Sequence, residues 1–222
     1  MNCLLCNRRL NWRPSFADLL LPGALHPPVL CPTCQASFAP WPGSHCPGCG
    51  RTSHEGRLCA ECRDWQDRLG WYVPVTSCYQ YNQAMKDFMH RYKFLGDYRL
   101  RATFQRELTE KARALGDCFV AVPVSAETMA TRGFNQVAGM VDLPLTPALV
   151  VAGKGKTRQS EKGRAARLAT PQPFALTNPA LVAGKRVVLI DDVMTTGRTF
   201  YHAATLLRAA GAAQLRGLVL AA

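Results

Sequence analysis

Two adjacent aspartates at the end of an apolar run constrain the fold of this chain more than any other feature. The run occupies residues 187–190, Asp191 and Asp192 follow it, and a Thr-Thr-Gly-Arg-Thr segment comes next. A helical pattern then covers residues 199–210, and a second apolar run covers residues 215–221. Strand, helix and strand in such close order predict a right-handed parallel crossover. We therefore expect an α/β fold, with a parallel sheet flanked by helices.

The residues after the predicted strand have the chemistry of a phosphate site. Ligands of open α/β sheets bind at the carboxyl ends of the strands, where Asp191 and Asp192 lie. Gly197 permits close backbone approach, and the amide groups at the start of a helix suit an anion. Hydroxyl groups come from three threonines, Thr195, Thr196 and Thr199. Because carboxylates would repel a phosphate, we expect ribose hydroxyls or Mg²⁺ between them. A strand followed by a threonine-capped helix, without any ligand, is the alternative.

Four Cys-x-x-Cys pairs lie in the first 62 residues. They are Cys3/Cys6, Cys31/Cys34, Cys46/Cys49 and Cys59/Cys62. Two such pairs complete a tetrahedral zinc site, so the spacing predicts two structural Zn²⁺ ions rather than a redox dithiol. Sequential and interleaved pairings both remain open. His45 and His54 are expected to be bystanders, and Cys78 and Cys118 to be ordinary buried residues.

The chain divides into two predicted domains. Residues 1–66 form a cysteine-rich module whose apolar content is too small to fold without metal. Residues 71–222 form the α/β domain, in which the patterns predict strands over 72–81, 118–124, 145–151 and 186–190, and helices over 85–92 and 98–115. Residues 153–173 contain six basic side chains and predict a mobile loop.

The charge balance favours anionic partners without choosing among them. The chain has 27 basic and 15 acidic residues, a formal net charge of +12. Such a balance suits nucleic acid or phosphorylated metabolites. Eight side chains of the cysteine-rich module would serve either nucleic-acid contacts or the core and surface of a small module: Arg8, Arg9, Arg13, Arg51, Arg57, Trp12, Trp41 and Trp65. No apolar run has membrane-spanning length and no signal-peptide layout is visible, so a cytoplasmic location is expected.

Residues 187–199 resemble the phosphoribosyl pyrophosphate motif of type I phosphoribosyltransferases. The chain as a whole resembles one group, the ComF competence family, which includes the GntX-like proteins. Besides the Cys-x-x-Cys pairs and residues 187–199, the resemblance is carried by Tyr92-Lys93-Phe94 before Gly96-Asp97, Val122-Pro123-Val124, residues 132–136 (Arg-Gly-Phe-Asn-Gln) and Arg158-Gln159. One departure is that Leu168 and Ala169 stand where the family often has an Asn.

This resemblance implies roles for individual residues. Asp191 and Asp192 would be the catalytic pair that holds the ribose hydroxyls. The bound phosphoribosyl pyrophosphate (PRPP), with Mg²⁺, would contact Val193, Met194, Thr195, Thr196, Gly197, Arg198 and Thr199. A pyrophosphate or a DNA phosphate would contact Lys93, Pro123, Val124, Arg132 and Arg158. The basic loop would form a hood over the site.

The resemblance also implies a competence function. The protein would assist the uptake of single-stranded DNA in natural transformation, at the inner face of the membrane and beside an ATP-dependent DNA translocase. Two alternatives stay open. One is an active phosphoribosyltransferase with an unknown acceptor, and the other is a regulator that senses PRPP.

Overall fold

A parallel four-stranded sheet organises this protein. The computed structural model describes residues 1–16, 20, 25, 27–152 and 172–222. The strands are β1 (Val75–Tyr79), β2 (Cys118–Ala121), β3 (Leu149–Val151), β4 (Phe174–Leu176), β5 (Arg186–Val193) and β6 (Gln214–Ala221). The main sheet has the order β1-β6-β5-β2 with every pair parallel, and β3 pairs with β4 in a separate antiparallel sheet. The predicted fold class is thus confirmed.

Helices flank this sheet. They are α1 (Pro32–Ala36), α2 (Ala60–Leu69), α3 (Gln83–Lys93), α4 (Gln105–Leu115), α5 (Ala126–Arg132), α6 (Gln136–Gly139) and α7 (Arg198–Ala209), with 3₁₀ turns at His54–Gly56, Tyr98–Thr103 and Pro179–Leu181. The α3 helix begins at Asn82, whose side chain accepts a 2.9 Å hydrogen bond from the Met85 amide. Such a cap satisfies an amide that has no partner within the helix. Within the described residues, no helix is both long and apolar enough to cross a membrane.

The central strand β5 separates two cores because alternate side chains of a strand point to opposite faces. Val188 and Ile190 pack into the core that contains the buried faces of α3 and α4. Val187 and Leu189 pack into the core that contains α7. The same alternation assigns Asp192 to the α3 face and Asp191 to the α7 face.

Several predicted elements differ from the structure in their bounds, and the strands predicted over residues 72–81 and 145–151 are shortened to Val75–Tyr79 and Leu149–Val151. The helix predicted over residues 98–115 is a 3₁₀ turn followed by α4, and the break falls at Phe104, where φ is −119°. Phe104 is 1% exposed and packs edge-on against Phe38 and Phe88, so tertiary packing overrides the local helical pattern. The strand predicted over residues 118–124 ends at Ala121, and Pro123, which follows shortly, has no amide hydrogen to continue the ladder. The β5 strand runs to Val193 and therefore includes both aspartates.

The cysteine-rich segment packs directly on the α/β part. Phe38 lies 5.0 Å from Phe104 and 5.9 Å from Phe88, measured between ring centroids. Cys46, Cys49 and Cys62 share the second core with α7. The division into domains at residues 66–71 stays a prediction, but the two parts bury apolar surface against each other.

Candidate functional site

Two buried carboxyl groups stand at the end of β5. Asp191 is 7% exposed and Asp192 is 4% exposed. Burial raises the pKa of Asp191 well above its ordinary value, and the adjacent Asp192 raises it further. Such a raised pKa means that the buried charge is poorly compensated by the surrounding protein. A ligand that brings hydroxyl donors or a cation would stabilise the ionised pair.

Within the described residues, one lysine compensates part of this charge. The Lys93 ammonium group forms an ion pair with the Asp192 carboxylate, and the Lys93 side chain is 19% exposed. This contact follows from the strand alternation, because Asp192 points to the face on which α3 packs and Lys93 is the last residue of α3. The structure thus brings Lys93 to the site, as predicted, although 99 residues separate it from Asp192 in the sequence.

The segment after β5, residues 194–197, forms a turn that we call the phosphate loop. Its last residue, Gly197, caps α7 with a left-handed φ of +75°. Thr195, Thr196 and Thr199 are exposed, so their hydroxyl groups are open to a ligand. In the described part of the chain, no backbone carbonyl accepts a hydrogen bond from the amide groups of Thr195, Thr196 or Gly197. Free amide groups at the start of a helix are suited to bind phosphate.

The phosphate loop and Asp191 enclose a small concavity. Its lining comprises Asp191, Val193, Met194, Thr195, Thr196, Gly197, Arg198, Thr199 and Phe200. All the residues predicted to hold the ribose and its phosphate, with the exception of Asp192, therefore line one surface. Asp192 lies on the opposite face of β5, beside Lys93.

The described residues predicted to bind pyrophosphate lie near the end of β5 without lining this concavity. The Val122 amide donates a 2.9 Å hydrogen bond to the Ile190 carbonyl, so Pro123 and Val124 follow at the level of the aspartates. The Arg132 guanidinium donates to the Lys93 carbonyl at 3.0 Å. Arg132 also donates to the Gln136 side chain. Arg158 and the rest of the predicted basic loop lie outside the described residues.

The eight paired cysteines form two clusters, and both use sequential pairs. The first cluster is Cys3, Cys6, Cys31 and Cys34, and the second cluster is Cys46, Cys49, Cys59 and Cys62. Within each cluster the four sulfur atoms lie within 4.8 Å of one another. The interleaved pairing is therefore wrong. Neither His45 nor His54 belongs to a cluster, and Cys78 and Cys118 are buried as expected.

The sulfur geometry fits a tetrahedral metal. Zn–S bonds of about 2.3 Å place the corners of a tetrahedron roughly 3.8 Å apart. The Cys6 and Cys31 sulfurs are 3.7 Å apart, and the Cys49 and Cys59 sulfurs are 3.8 Å apart. A hydrogen bond from Cys62 lowers the pKa of Cys49 to about 5, while the same contact raises the pKa of Cys62 and burial raises the pKa of Cys59 to about 11. Both clusters could hold metal ions, and the donor sets are consistent with zinc.

Two residues that contact the phosphate loop were not predicted to do so. Arg51 donates to the Met194 carbonyl at 2.9 Å and also to the Thr195 carbonyl. Trp65 donates to the Thr196 carbonyl at 2.8 Å. The sequence alone predicted that both residues either contact nucleic acid or belong to the core and surface of a small module. It could not predict the contacts with the phosphate loop, because it shows only that both residues lie close to cysteines.

Comparisons with known proteins agree with this architecture. Residues 102–222 match the family described as phosphoribosyl transferase domain. Competence protein ComFC of Streptococcus pneumoniae is 36% identical over 218 residues, covering 97% of each chain. Competence protein ComFC of Bacillus subtilis is 31% identical over 225 residues, covering 95% of this chain and 90% of the relative. DNA utilization protein YhgH of Salmonella typhimurium is 30% identical over 191 residues, covering 78% of this chain and 82% of the relative.

Proposed function

Because the chain belongs to the ComFC family of competence proteins and contains a phosphoribosyl transferase domain, we propose that it binds PRPP and assists the uptake of single-stranded DNA. One observation carries the first part of the proposal. Three amide groups that have no backbone acceptor in the described part of the chain lie next to a buried carboxyl pair at the end of β5. The amide groups are the donors that a phosphate needs, and the carboxyl groups are the acceptors that ribose hydroxyls need.

Each part of PRPP has a matching group in this site. The 5-phosphate accepts hydrogen bonds from the phosphate loop and from the hydroxyl groups of Thr195, Thr196 and Thr199. The ribose hydroxyls donate to Asp191 and Asp192. The pyrophosphate lies toward Lys93, Arg132 and the Pro123–Val124 segment.

Mg²⁺ fits this site because, among the described residues, Lys93 is the one cation that pairs with the two buried carboxyl groups. Asp191 and Asp192 supply the oxygen ligands that Mg²⁺ prefers, directly or through its water. When bound, Mg²⁺ would neutralise charge on the pyrophosphate. Two Zn²⁺ ions, one in each cysteine cluster, have a structural role in the same proposal.

Titration calorimetry with PRPP and Mg²⁺ tests the proposal. We expect wild-type protein to bind PRPP, and the double variant Asp191→Asn/Asp192→Asn to lose binding because amides accept hydrogen bonds from ribose hydroxyls less strongly than carboxylates. Asp142→Asn is a suitable control, since Asp142 is an exposed carboxylate away from the site. If the wild-type protein binds no PRPP, this part of the proposal is wrong.

The DNA-handling part of the proposal is supported by the names of the relatives, a competence protein and a DNA utilization protein, and by the net charge of +12. The protein would act in the cytoplasm, beside an ATP-dependent DNA translocase. Fluorescence anisotropy with a short labelled single strand measures this binding. We expect the affinity to fall steeply between about 50 and 200 mM salt, because binding releases counterions from the DNA. An affinity that stays level over that range would contradict the proposal.

An active phosphoribosyltransferase with an unknown acceptor is the second candidate. The buried carboxyl pair favours it, because preorganised carboxylates in a water-poor site stabilise the positive charge that develops on the ribose during transfer. Release of pyrophosphate from PRPP, measured with and without candidate acceptors such as single-stranded DNA, tests this candidate. Binding without release would instead favour a protein that senses PRPP.

A further inference from the structure

Two side chains next to the second cysteine cluster donate hydrogen bonds to the phosphate loop. Arg51 stands two residues after Cys49, and Trp65 stands three residues after Cys62. Each side chain reaches from its cysteine pair to the backbone carbonyls of residues 194–196. Three consecutive carbonyls of the phosphate loop are therefore held by two side chains from the cluster.

Holding these carbonyls also orients the amide groups. A trans peptide unit is planar, and its C=O and N–H bonds point in opposite directions. The described chain contains no cis peptide bond. When the carbonyls of residues 194–196 point toward the cluster, the amide groups of Thr195, Thr196 and Gly197 must point away from it. These are the amide groups that have no backbone acceptor.

The two holding side chains are themselves fixed in place. Trp65 stacks on Tyr201 of α7, with ring centroids 4.6 Å apart and planes inclined by 18°. Arg51 also lies 3.9 Å from the Glu61 carboxylate, which is an acceptor of opposite charge. The segment before Arg51 packs closely on β1, because a Cβ atom on Gly50 would lie 2.5 Å from the Ser77 amide nitrogen.

We propose that Arg51 and Trp65 are positioning residues of the PRPP site, and that a metal in the second cluster sets the affinity for phosphorylated ligands through them. A metal ion would hold Cys49 and Cys62 together and would thereby fix the distance between the two side chains. Loss of the metal would free both and let the phosphate-loop carbonyls rotate. The inference rests on the proposed function, because it assigns these side chains to the same site.

The first cluster supplies an internal comparison. Its link to the α/β part is Arg91, which donates to the carbonyls of Leu5 at 2.9 Å and of Leu4 at 3.0 Å. Arg91 lies on α3, and the described contacts of the first cluster do not include residues 194–196. Substitution of Arg91 should therefore lower the stability of the fold while leaving the order of the phosphate loop largely unchanged.

Trp65→Phe is the sharpest variant, because phenylalanine keeps an aromatic ring on Tyr201 and removes the N–H donor. We expect a roughly three- to tenfold weaker affinity for PRPP, the effect of one hydrogen bond. Arg51→Gln, which loses a charged donor to two carbonyls, should weaken binding more, and Arg51→Lys should restore part of it. Trp41→Phe is the matched control, since the Trp41 N–H donates to the Ser77 hydroxyl at 3.2 Å instead.

Backbone ¹⁵N relaxation on the protein without ligand gives a readout that does not depend on which ligand binds. Order parameters of the Thr195, Thr196 and Gly197 amide groups should be lower in Trp65→Phe and Arg51→Gln than in wild type and Trp41→Phe. Partial chelation should lower the same order parameters as the second cluster empties, and metal analysis follows the loss of metal. Thermal melting identifies any variant that is globally unfolded. If Arg51→Gln is unfolded, the comparison at that position is made with Arg51→Lys.

The outcomes separate this inference from the proposed function. If wild-type protein binds neither PRPP nor ribose 5-phosphate, the proposed function is wrong, while the order parameters still decide whether Arg51 and Trp65 order the phosphate loop. If PRPP binds and Trp65→Phe and Arg51→Gln both match Trp41→Phe in affinity and in amide order parameters, the positioning role is overturned.

Discussion

Replacing Gly197 with alanine tests how strictly the phosphate loop requires a residue without a side chain. Gly197 has a φ of +75°, a conformation that disfavours other L-residues by about 1–2 kcal/mol. A Cβ atom there would also lie 3.0 Å from the end of the Met194 side chain and 3.2 Å from ring atoms of both Trp65 and Tyr201. The methionine methyl can move, but the two rings are stacked on each other, so the strain would fall on the phosphate loop.

Gly184 provides a matched control. Its φ is +69°, yet a Cβ atom there would meet nothing within 4 Å. Gly184→Ala should therefore lower the free energy of unfolding by the backbone contribution alone, about 1–2 kcal/mol. Gly197→Ala should lower it by a further 1–3 kcal/mol or so from overpacking. In a chain of this length, each kcal/mol corresponds to a melting temperature lower by roughly 2–4 °C.

Urea denaturation followed by tryptophan fluorescence measures the stability difference, and calorimetric titration with PRPP measures the function of the phosphate loop. We expect Gly184→Ala to bind PRPP like wild type. Gly197→Ala should bind roughly tenfold more weakly or worse, because displacing one amide removes a hydrogen bond to a charged phosphate. Equal unfolding free energies and equal affinities for the two variants would refute this reasoning.

Three further predictions concern the rest of the molecule. Phe104→Ala should lower the free energy of unfolding by about 3–5 kcal/mol, as truncation of a buried aromatic ring does. Phe94 is 72% exposed, so Phe94→Ala should change the free energy of unfolding by less than about 0.5 kcal/mol. Urea denaturation of both variants measures the difference. Hydrogen bonds from Arg99 and Arg91 lower the pKa of Asp97. The Asp97 carboxylate therefore stabilises the fold at pH values above its ordinary pKa, and this contribution is lost as the pH falls through the lowered pKa. The difference in unfolding free energy between wild type and Asp97→Asn should shrink in acid, and a difference independent of pH would contradict this prediction. Metal analysis should find about two Zn²⁺ per chain, and a strong chelator should lower the melting temperature; a zinc-free protein with an unchanged melting temperature would count against both sites.

Local sequence patterns predicted the elements whose character depends on near neighbours. The spacing of Met85, Phe88, Met89 and Tyr92 corresponds to the buried face of α3. The apolar run before Asp191 corresponds to β5, which is buried on both faces, as parallel strands are. The break at Phe104 was not predicted, because the rings that surround Phe104 come from distant parts of the chain.

The sequence by itself determined the chemical groups available to the site: an acidic pair at a strand end, a threonine- and glycine-containing turn, and four dithiol pairs. Local spacing suffices for these features, since each lies within a few residues. Tertiary structure alone decided which groups meet. It paired the cysteines sequentially, joined Lys93 to Asp192, and brought Arg51 and Trp65 to carbonyls 143 and 131 residues away. Such contacts depend on how strands order and helices pack, and that arrangement is set by the burial of apolar surface over the whole chain rather than by any local motif.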